Sequence, residues 1–291
     1  MATLQELRTR RQSILSSQKM TTAMKMVATA KFRQFQKESG RLNERTLFLE
    51  RGLQEVLSVM TPSDFPSFCK PRRSQKPFQR SLWIVVGADR GLCGGFNVQL
   101  ARFFRRHYEE AGSASQNSYV MVIGNRPSGL IEKMGVDLFY KNPMGLRPGF
   151  TLAQEVCDKA FSLFDEGLID RCFVIYTRFF NMIRQEVALS SFLPFSLEPF
   201  YHKGTRETLH LLEPSPSVLC HSLARMTAQA FFYKILLESC LSEQASRMAA
   251  MENASRNGGE ILRDLSLLYN RKRQSLITNE LIEVISGANV G

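Results

Sequence analysis

Apolar residues recur at alternating steps of three and four along the first sixty positions. The seam runs through Leu4, Leu7, Arg11, Ile14, Gln18, Thr21, Lys25, Ala28, Phe32, Phe35, Ser39, Leu42, Thr46, Leu49, Leu53, Val56 and Met60. Eleven of these seventeen positions are apolar, and the polar ones concentrate between Arg11 and Lys25. Neither proline nor a cluster of turn residues interrupts residues 3–60. The pattern predicts one helix of about 58 residues, roughly 85 Å long, with a coiled-coil repeat that turns polar near its start.

The other end of the chain repeats the arrangement. After the stretch EPSPS (Glu213–Ser217) no proline occurs again, and Leu219, Leu223, Met226, Ala230, Tyr233, Leu237 and Cys240 keep the same spacing. A second phase follows through Met251, Ala254, Gly258, Ile261, Leu265 and Leu268. This predicts a helix approaching about 70 residues, on the order of 100 Å. Helices of such length cannot bury themselves within a compact globule and must pair with each other, with other chains, or with both. An antiparallel coiled coil of the two ends is the most economical pairing.

Between the helices the pattern changes. Residues 61–79 hold four prolines and the cluster Lys70, Arg72, Arg73 and Lys76, which reads as a linker. Short apolar runs follow at 82–86, 119–123, 172–176 and 186–193, with helical patterns at 97–110, 126–134 and 152–166. Strands alternating with helices imply a mostly parallel sheet covered on both faces. The expected fold class is therefore α/β: a long antiparallel coiled coil of the N- and C-terminal helices with an inserted Rossmann-like α/β domain. The expected division is 1–60 helix, 61–79 linker, 80–200 α/β domain, 201–217 linker and 218–291 helix.

Composition narrows the function classes. The formal net charge of +11 points to acidic partners, whether nucleic acid, an anionic membrane surface or acidic protein loops. Six cysteines lie at least fifteen residues apart, with no CxxC pair, so neither zinc nor a disulfide framework is expected. Scattered thiols of this kind suit a reducing compartment. The N-terminal stretch lacks an apolar segment typical of a secretory signal, and no run of 18 apolar residues suggests a membrane span.

One stretch invites an enzymatic reading. VVGADRGLCGGFN (Val85–Asn97) follows a strand and precedes a helix, as phosphate-binding loops do. Its glycines at 87, 91, 94 and 95 fit neither GxGxxG nor a Walker loop, so a close-packed structural turn built on Asp89, Arg90, Gly91, Gly94 and Gly95 is the favoured reading. Cys93 has no histidine motivated as its base, and no catalytic constellation is visible. A nucleotide-binding α/β enzyme is kept as an alternative. So is a nucleic-acid tether, since residues 1–60 hold eleven Lys/Arg against five Glu; the first half of that helix lacks aromatic residues for base stacking. At the far end, Arg271, Lys272 and Arg273 precede Leu276, Ile277, Leu281, Ile282, Val284 and Ile285. Those apolar positions cover more than one helix face, so other chains are expected to enclose this tip.

Four separated segments carry a resemblance: QKMTTAMKMVATAKF (18–32), DRGLCGGFN (89–97), EQASRMAAMENASRNGGE (243–260) and YNRKRQSLITNELIEVISGA (269–288). In order and position they resemble the γ subunit family of F-type ATP synthases. The resemblance implies a noncatalytic rotor without cofactor or metal, whose terminal helices form a central stalk inside a hexameric ring of α and β subunits. The inserted domain would lie at the foot with the ε subunit, against the c-ring. Ion-driven rotation of that ring would turn the stalk and couple to ATP synthesis or hydrolysis at β. Met24 and Lys25 resemble the segment facing an acidic lever of β, and Arg247 resembles an arginine of the C-terminal helix in the same coupling region; Arg273, Gln274 and Thr278 resemble a polar group gripping a loop of β. Leu281, Ile282, Val284 and Ile285 resemble the bearing tip. On this resemblance no nucleic acid is bound, membrane association comes only through the complex, and the location is the cytoplasmic face of the bacterial inner membrane. Methionine and alanine in 244–265 would give such a shaft shallow, adaptable contacts with successive partners. The closely spaced cysteine pair of photosynthetic members is not matched by Cys172, Cys220 and Cys240.

Overall fold

The computed structural model describes residues 3–71, 80–112, 118–201 and 212–288. Helix α1 spans Leu4–Leu57 and helix α5 spans Pro216–Ala288. Between them lie strands β1 (Ser81–Val86), β2 (Tyr119–Ile123), β3 (Tyr140–Asn142), β4 (Arg171–Phe179) and β5 (Gln185–Leu193). The intervening helices are α2 (Phe96–Glu110), α3 (Asn125–Glu132) and α4 (Phe150–Asp165). The chain forms two compact units, one made of residues 1–30 with 247–291 and one of residues 31–246.

In the first unit the two chain ends pair as antiparallel helices. Contacts step up one helix and down the other: Arg11 lies over the Tyr269 ring, Gln18 Nε2 donates to the Ser255 carbonyl at 3.2 Å, and Thr29 Oγ1 donates to Met248 Sδ at 3.1 Å. On α1 the anticipated seam holds, with Leu7 and Ala28 buried and Ile14, Gln18, Thr21 and Lys25 half-buried. On α5 the expected phase holds only at Met251, Gly258 and Leu265. Ala254, Ile261 and Leu268 are exposed, while Met248, Met251, Ser255, Gly258, Leu262, Leu265, Tyr269 and Lys272 form an unbroken 3-4 seam of buried and half-buried positions. The pattern of apolar residues does not mark this phase at Ser255 and Lys272, which are polar. Its members face the polar stretch of α1, where small residues leave room for Gln18, Thr22 and Lys25. Polar groups at such seam positions specify register.

The methionines also need correction. Met248 and Met251 are buried in the seam rather than offered to partners, while Met20 and Met26 of α1 are exposed. Gly258 is not there for want of space, since a Cβ would sit 3.8 Å from Gln18 Cβ, an ordinary contact.

The second unit is a five-stranded sheet of order β3-β2-β1-β4-β5, parallel except for the antiparallel β4–β5 pair. Every residue of β1 is buried, as a central parallel strand requires. Trp83 and Val85 pack with Leu100 and Phe104 of α2 and Ile131 of α3. Leu82, Ile84 and Val86 have the opposite parity and are fully buried too. On β5, Phe192 stacks near Phe161 of α4 and Phe232 of α5. From Thr227 to Ala245 nearly all of α5 is buried, so a single seam underestimates its burial there. The expected run Leu219–Cys240 holds at Ala230, Tyr233, Leu237 and Cys240 but fails at Met226, which is exposed. Short β3, with intermediate burial, escaped the sequence reading because its three residues YKN carry no apolar alternation.

Two glycine substitutions should separate propensity from sterics. Gly258→Ala should raise the unfolding free energy of the full chain by about 0.5–1 kcal/mol, because alanine favours helix and the site is open. Gly124→Ala should lower it by about 2 kcal/mol or more, since Gly124 has φ 110° and a Cβ would lie 2.6 Å from the Gly87 carbonyl oxygen. Urea unfolding of the two variants checks both signs.

Candidate functional surfaces

The glycine-rich turn sits where β1 ends, the position at which parallel α/β sheets bind nucleotides. Its chemistry here is different. Asp89 accepts hydrogen bonds from the backbone amides of Asn125 at 2.9 Å, Met144 at 3.0 Å and Gly145 at 2.7 Å. Asn125 opens α3, so the Asp89 carboxylate occupies the anion position at that helix N-terminus and ties three loops together. Asn97 Oδ1 accepts from the Ala88 amide at 3.0 Å, and Ala88, Cys93 and Phe96 close into a small buried cluster. Gly87 cannot carry a side chain, because a Cβ would meet Leu100 and Pro127 at 2.8 Å. Gly91 lies against the Arg126 guanidinium, and Gly94 has φ 60°. Gly95 is the residue preceding α2.

The crevice between β1 and β4, where the strand order reverses, is filled by α5. Ser239 Oγ donates to the Val86 carbonyl at 3.3 Å and Ser242 Oγ donates to the Thr177 carbonyl at 3.0 Å. These hydroxyls engage carbonyls at the ends of the two strands that a dinucleotide would straddle. The residues that decide against the nucleotide reading are thus Ser239 and Ser242. Nothing in a one-dimensional pattern marks them beyond their being polar within an apolar helical run. Cys93 is 2% exposed, its Sγ 3.7 Å from the Arg90 carbonyl and 3.5 Å from Asn97 Nδ2, buried inside the turn and unsuited to attack a substrate. Burial pushes the Cys157, Cys172 and Cys240 thiols well above their usual range. Among the described residues no group of His, Cys, Asp and Glu could hold a metal ion, and no helix is long and apolar enough to cross a membrane.

The remaining candidates all lie in the two-helix unit. Met24 and Lys25 are half-buried, and the Lys25 ammonium pairs with Glu252 of α5. Arg247 is half-buried on α5, one residue before Met248, whose partner Thr29 is a turn beyond Lys25. The structure therefore brings Met24, Lys25 and Arg247 to one stretch of the helix pair. Arg273, Gln274 and Thr278 lie elsewhere, about 30 Å along α5 from Glu252 at 1.5 Å per residue. All three are exposed, and Thr278 Oγ1 donates to the Gln274 carbonyl at 2.9 Å. Lys272 is the last half-buried position of α5; each residue after it whose side chain is described is exposed. Leu281, Ile282, Val284 and Ile285 are each more than half exposed, so the described end of α5 carries a run of uncovered apolar side chains.

Comparison with known proteins agrees with this architecture. Residues 3–290 match the family model described as ATP synthase. An ATP synthase gamma chain of Chloroherpeton thalassium is 34% identical over 99% of this chain and 98% of its own length. That of Brucella anthropi is 31% identical over 99% of both. Among solved structures, a central stalk/c-ring chain of Tetrahymena thermophila mitochondrial ATP synthase is 26% identical, with TM-score 0.60, covering 81% of this chain and 99% of that one. A chain of the Euglena gracilis mitochondrial ATP synthase, at 19% identity and TM-score 0.67 over 99% of this chain and 94% of that one, shares the fold. The class is that of ATP synthase subunits. The chain belongs to the ATP synthase gamma chain family, whose members are central-stalk subunits of that enzyme complex.

Removing the Asp89 brace tests its structural assignment. Asp89→Ala should cost about 2 kcal/mol, because three backbone amides lose a charged acceptor. Asp89→Asn, which keeps one carbonyl oxygen, should fall between that variant and the native chain in thermal unfolding.

Proposed function

We propose that this chain is the rotor that couples ion-driven rotation of a c-ring to ATP synthesis or hydrolysis at the β subunits, and that it performs no chemistry itself. The observation that carries the reading is the uncovered end of α5. Leu276, Ile277, Leu281, Ile282, Val284 and Ile285 are all exposed. At 100° per residue they spread over about 240° of the helix circumference. A partner helix covers one stripe, so a surrounding collar of other chains suits this tip better than a single neighbour. A ring of α and β subunits would provide that collar.

In this reading Met24, Lys25 and Arg247 meet an acidic lever of β, while Arg273, Gln274 and Thr278 engage one of its loops. Exposed ion pairs at such sites contribute roughly 0–1 kcal/mol each, weak enough to be broken and remade at each of three equivalent partners. Lys25 already pairs with Glu252, so contact with β would exchange one partner carboxylate for another. The division into terminal helices (1–60 and 218–291), linkers (61–79 and 201–217) and α/β domain (80–200) assigns the last to the foot, with ε and the c-ring. Membrane attachment then comes through the complex, peripheral to the cytoplasmic face of a bacterial inner membrane. Residues 72–79 and 202–211 of those linkers, with Arg72, Arg73 and Lys76 of the basic cluster, and 289–291 of the C-terminal helix fall outside the described residues.

The test is the double variant Arg273→Glu with Gln274→Leu in the assembled complex. ATP turnover should fall roughly fivefold, equivalent to ~1 kcal/mol of lost contact, while the chain alone unfolds at the native temperature. Unchanged turnover would remove the assigned grip. A complex holding this chain in any ratio other than one to three α and three β would remove the rotor reading.

A further inference from the structure

Within the sheet-bearing unit, α1, α5 and the start of α4 line a half-open cavity of about 630 Å³. Its size is that of a small-molecule pocket. The floor is apolar, built from Leu42, Leu49 and Ala230, with the exposed Met226 and Phe150 side chains at the rim. One wall is a closed polar network: Glu38 accepts from Arg147 Nε at 3.0 Å and from Arg147 Nη2 at 2.9 Å, and the Tyr233 hydroxyl donates to its other oxygen. Burial and that bond push the Tyr233 hydroxyl above its usual range, so it stays a donor.

Further along the same face of α1 the lining is different. Arg41 and Arg45 stand one turn apart on α1, line the cavity and are exposed, and among the described residues no carboxylate lies within ion-pair distance of either. The first turn of α4 begins on the same cavity at Gly149, which has no side chain to cap it, so the positive end of that helix adds to the same potential. An apolar floor beneath two uncommitted guanidinium groups has a defined complement: one anionic head, accepted by the arginine pair, on an apolar body.

We propose that this cavity binds an anionic amphiphile, with the head between Arg41 and Arg45 and the chain over Leu42, Met226 and Phe150. The head chemistry is shared by a free medium-chain carboxylate and by an anionic lipid of a bilayer, and the experiment separates them. Met226 lies on the cavity rim and reports directly on the floor. The full chain labelled with ¹³C at the methionine methyl groups is titrated with decanoate, the Met226 resonance being assigned by Met226→Leu.

A saturable shift of Met226 with decanoate, absent with acetate and with decylamine, is the expected result. The double variant Arg41→Ala with Arg45→Ala should weaken it by about tenfold or more, the loss of charge-assisted hydrogen bonds. The single conservative variant Arg45→Lys should retain most of the affinity. A matching shift with vesicles containing phosphatidylglycerol, and none with phosphatidylcholine alone, assigns the source to a bilayer; a shift with decanoate only assigns it to a free carboxylate. No shift, a shift that does not saturate, an equal response to decylamine, or full affinity in the double-alanine variant overturns the proposal.

Discussion

Pairing of the two chain ends is the constraint on which the rest depends. A helix of 54 residues and one of 73 have no stability in water by length alone once their apolar stripes are exposed. Antiparallel pairing covers both stripes at once and needs only that the 3-4 seams meet in register. Gln18, Thr22 and Lys25 on one helix face Ser255, Gly258 and Glu252 on the other, so register rests on polar contacts as well as on apolar burial. A purely apolar seam could slide by a heptad; one with a glutamine bonded to a backbone carbonyl and a lysine to a glutamate cannot do so without leaving buried or half-buried polar groups unmatched.

The inserted sheet has the topology of a nucleotide-binding domain, yet its switch-point crevice is closed from inside. The Asp89 carboxylate sits at the N-terminus of α3 and the Ser239 and Ser242 hydroxyls bond carbonyls at the ends of β1 and β4. An incoming phosphate would meet a fixed negative charge, and its place on the sheet is already taken by α5. Fold alone would have suggested catalysis; the occupants of the crevice assign a structural role instead.

Much of this was legible in the chain itself. The α1 seam and the three connecting helices follow from helical periodicity and the four main strands from short apolar runs, within two residues at most boundaries. Three features were not legible, each for a physical reason. The true phase of α5 passes through Ser255 and Lys272, residues whose burial depends on a partner helix rather than on hydropathy. The burial of α5 between Thr227 and Ala245 comes from the sheet beside it, which supplies partners for Ser239 and Ser242. The role of Asp89 depends on amides up to 56 residues away, brought near only by the parallel strand order. The exposed tip from Leu276 to Ile285, by contrast, was evident early, because apolar residues spread around a helix demand more neighbours than one partner can provide.

The account predicts that the paired ends act as one stiff body, and a reversible lock between them tests this most directly. Thr22 Oγ1 and Ser255 Oγ are 3.4 Å apart, which suits a disulfide in the variant Thr22→Cys with Ser255→Cys, while the native cysteines are buried or half-buried. ATP turnover and rotation of the assembled complex are measured before oxidation, after it and after reduction. Turnover and rotation that remain unchanged with the bond formed are the predicted result. A loss on oxidation that reduction restores would mean that the helices must slide or separate to transmit torque, and would contradict it.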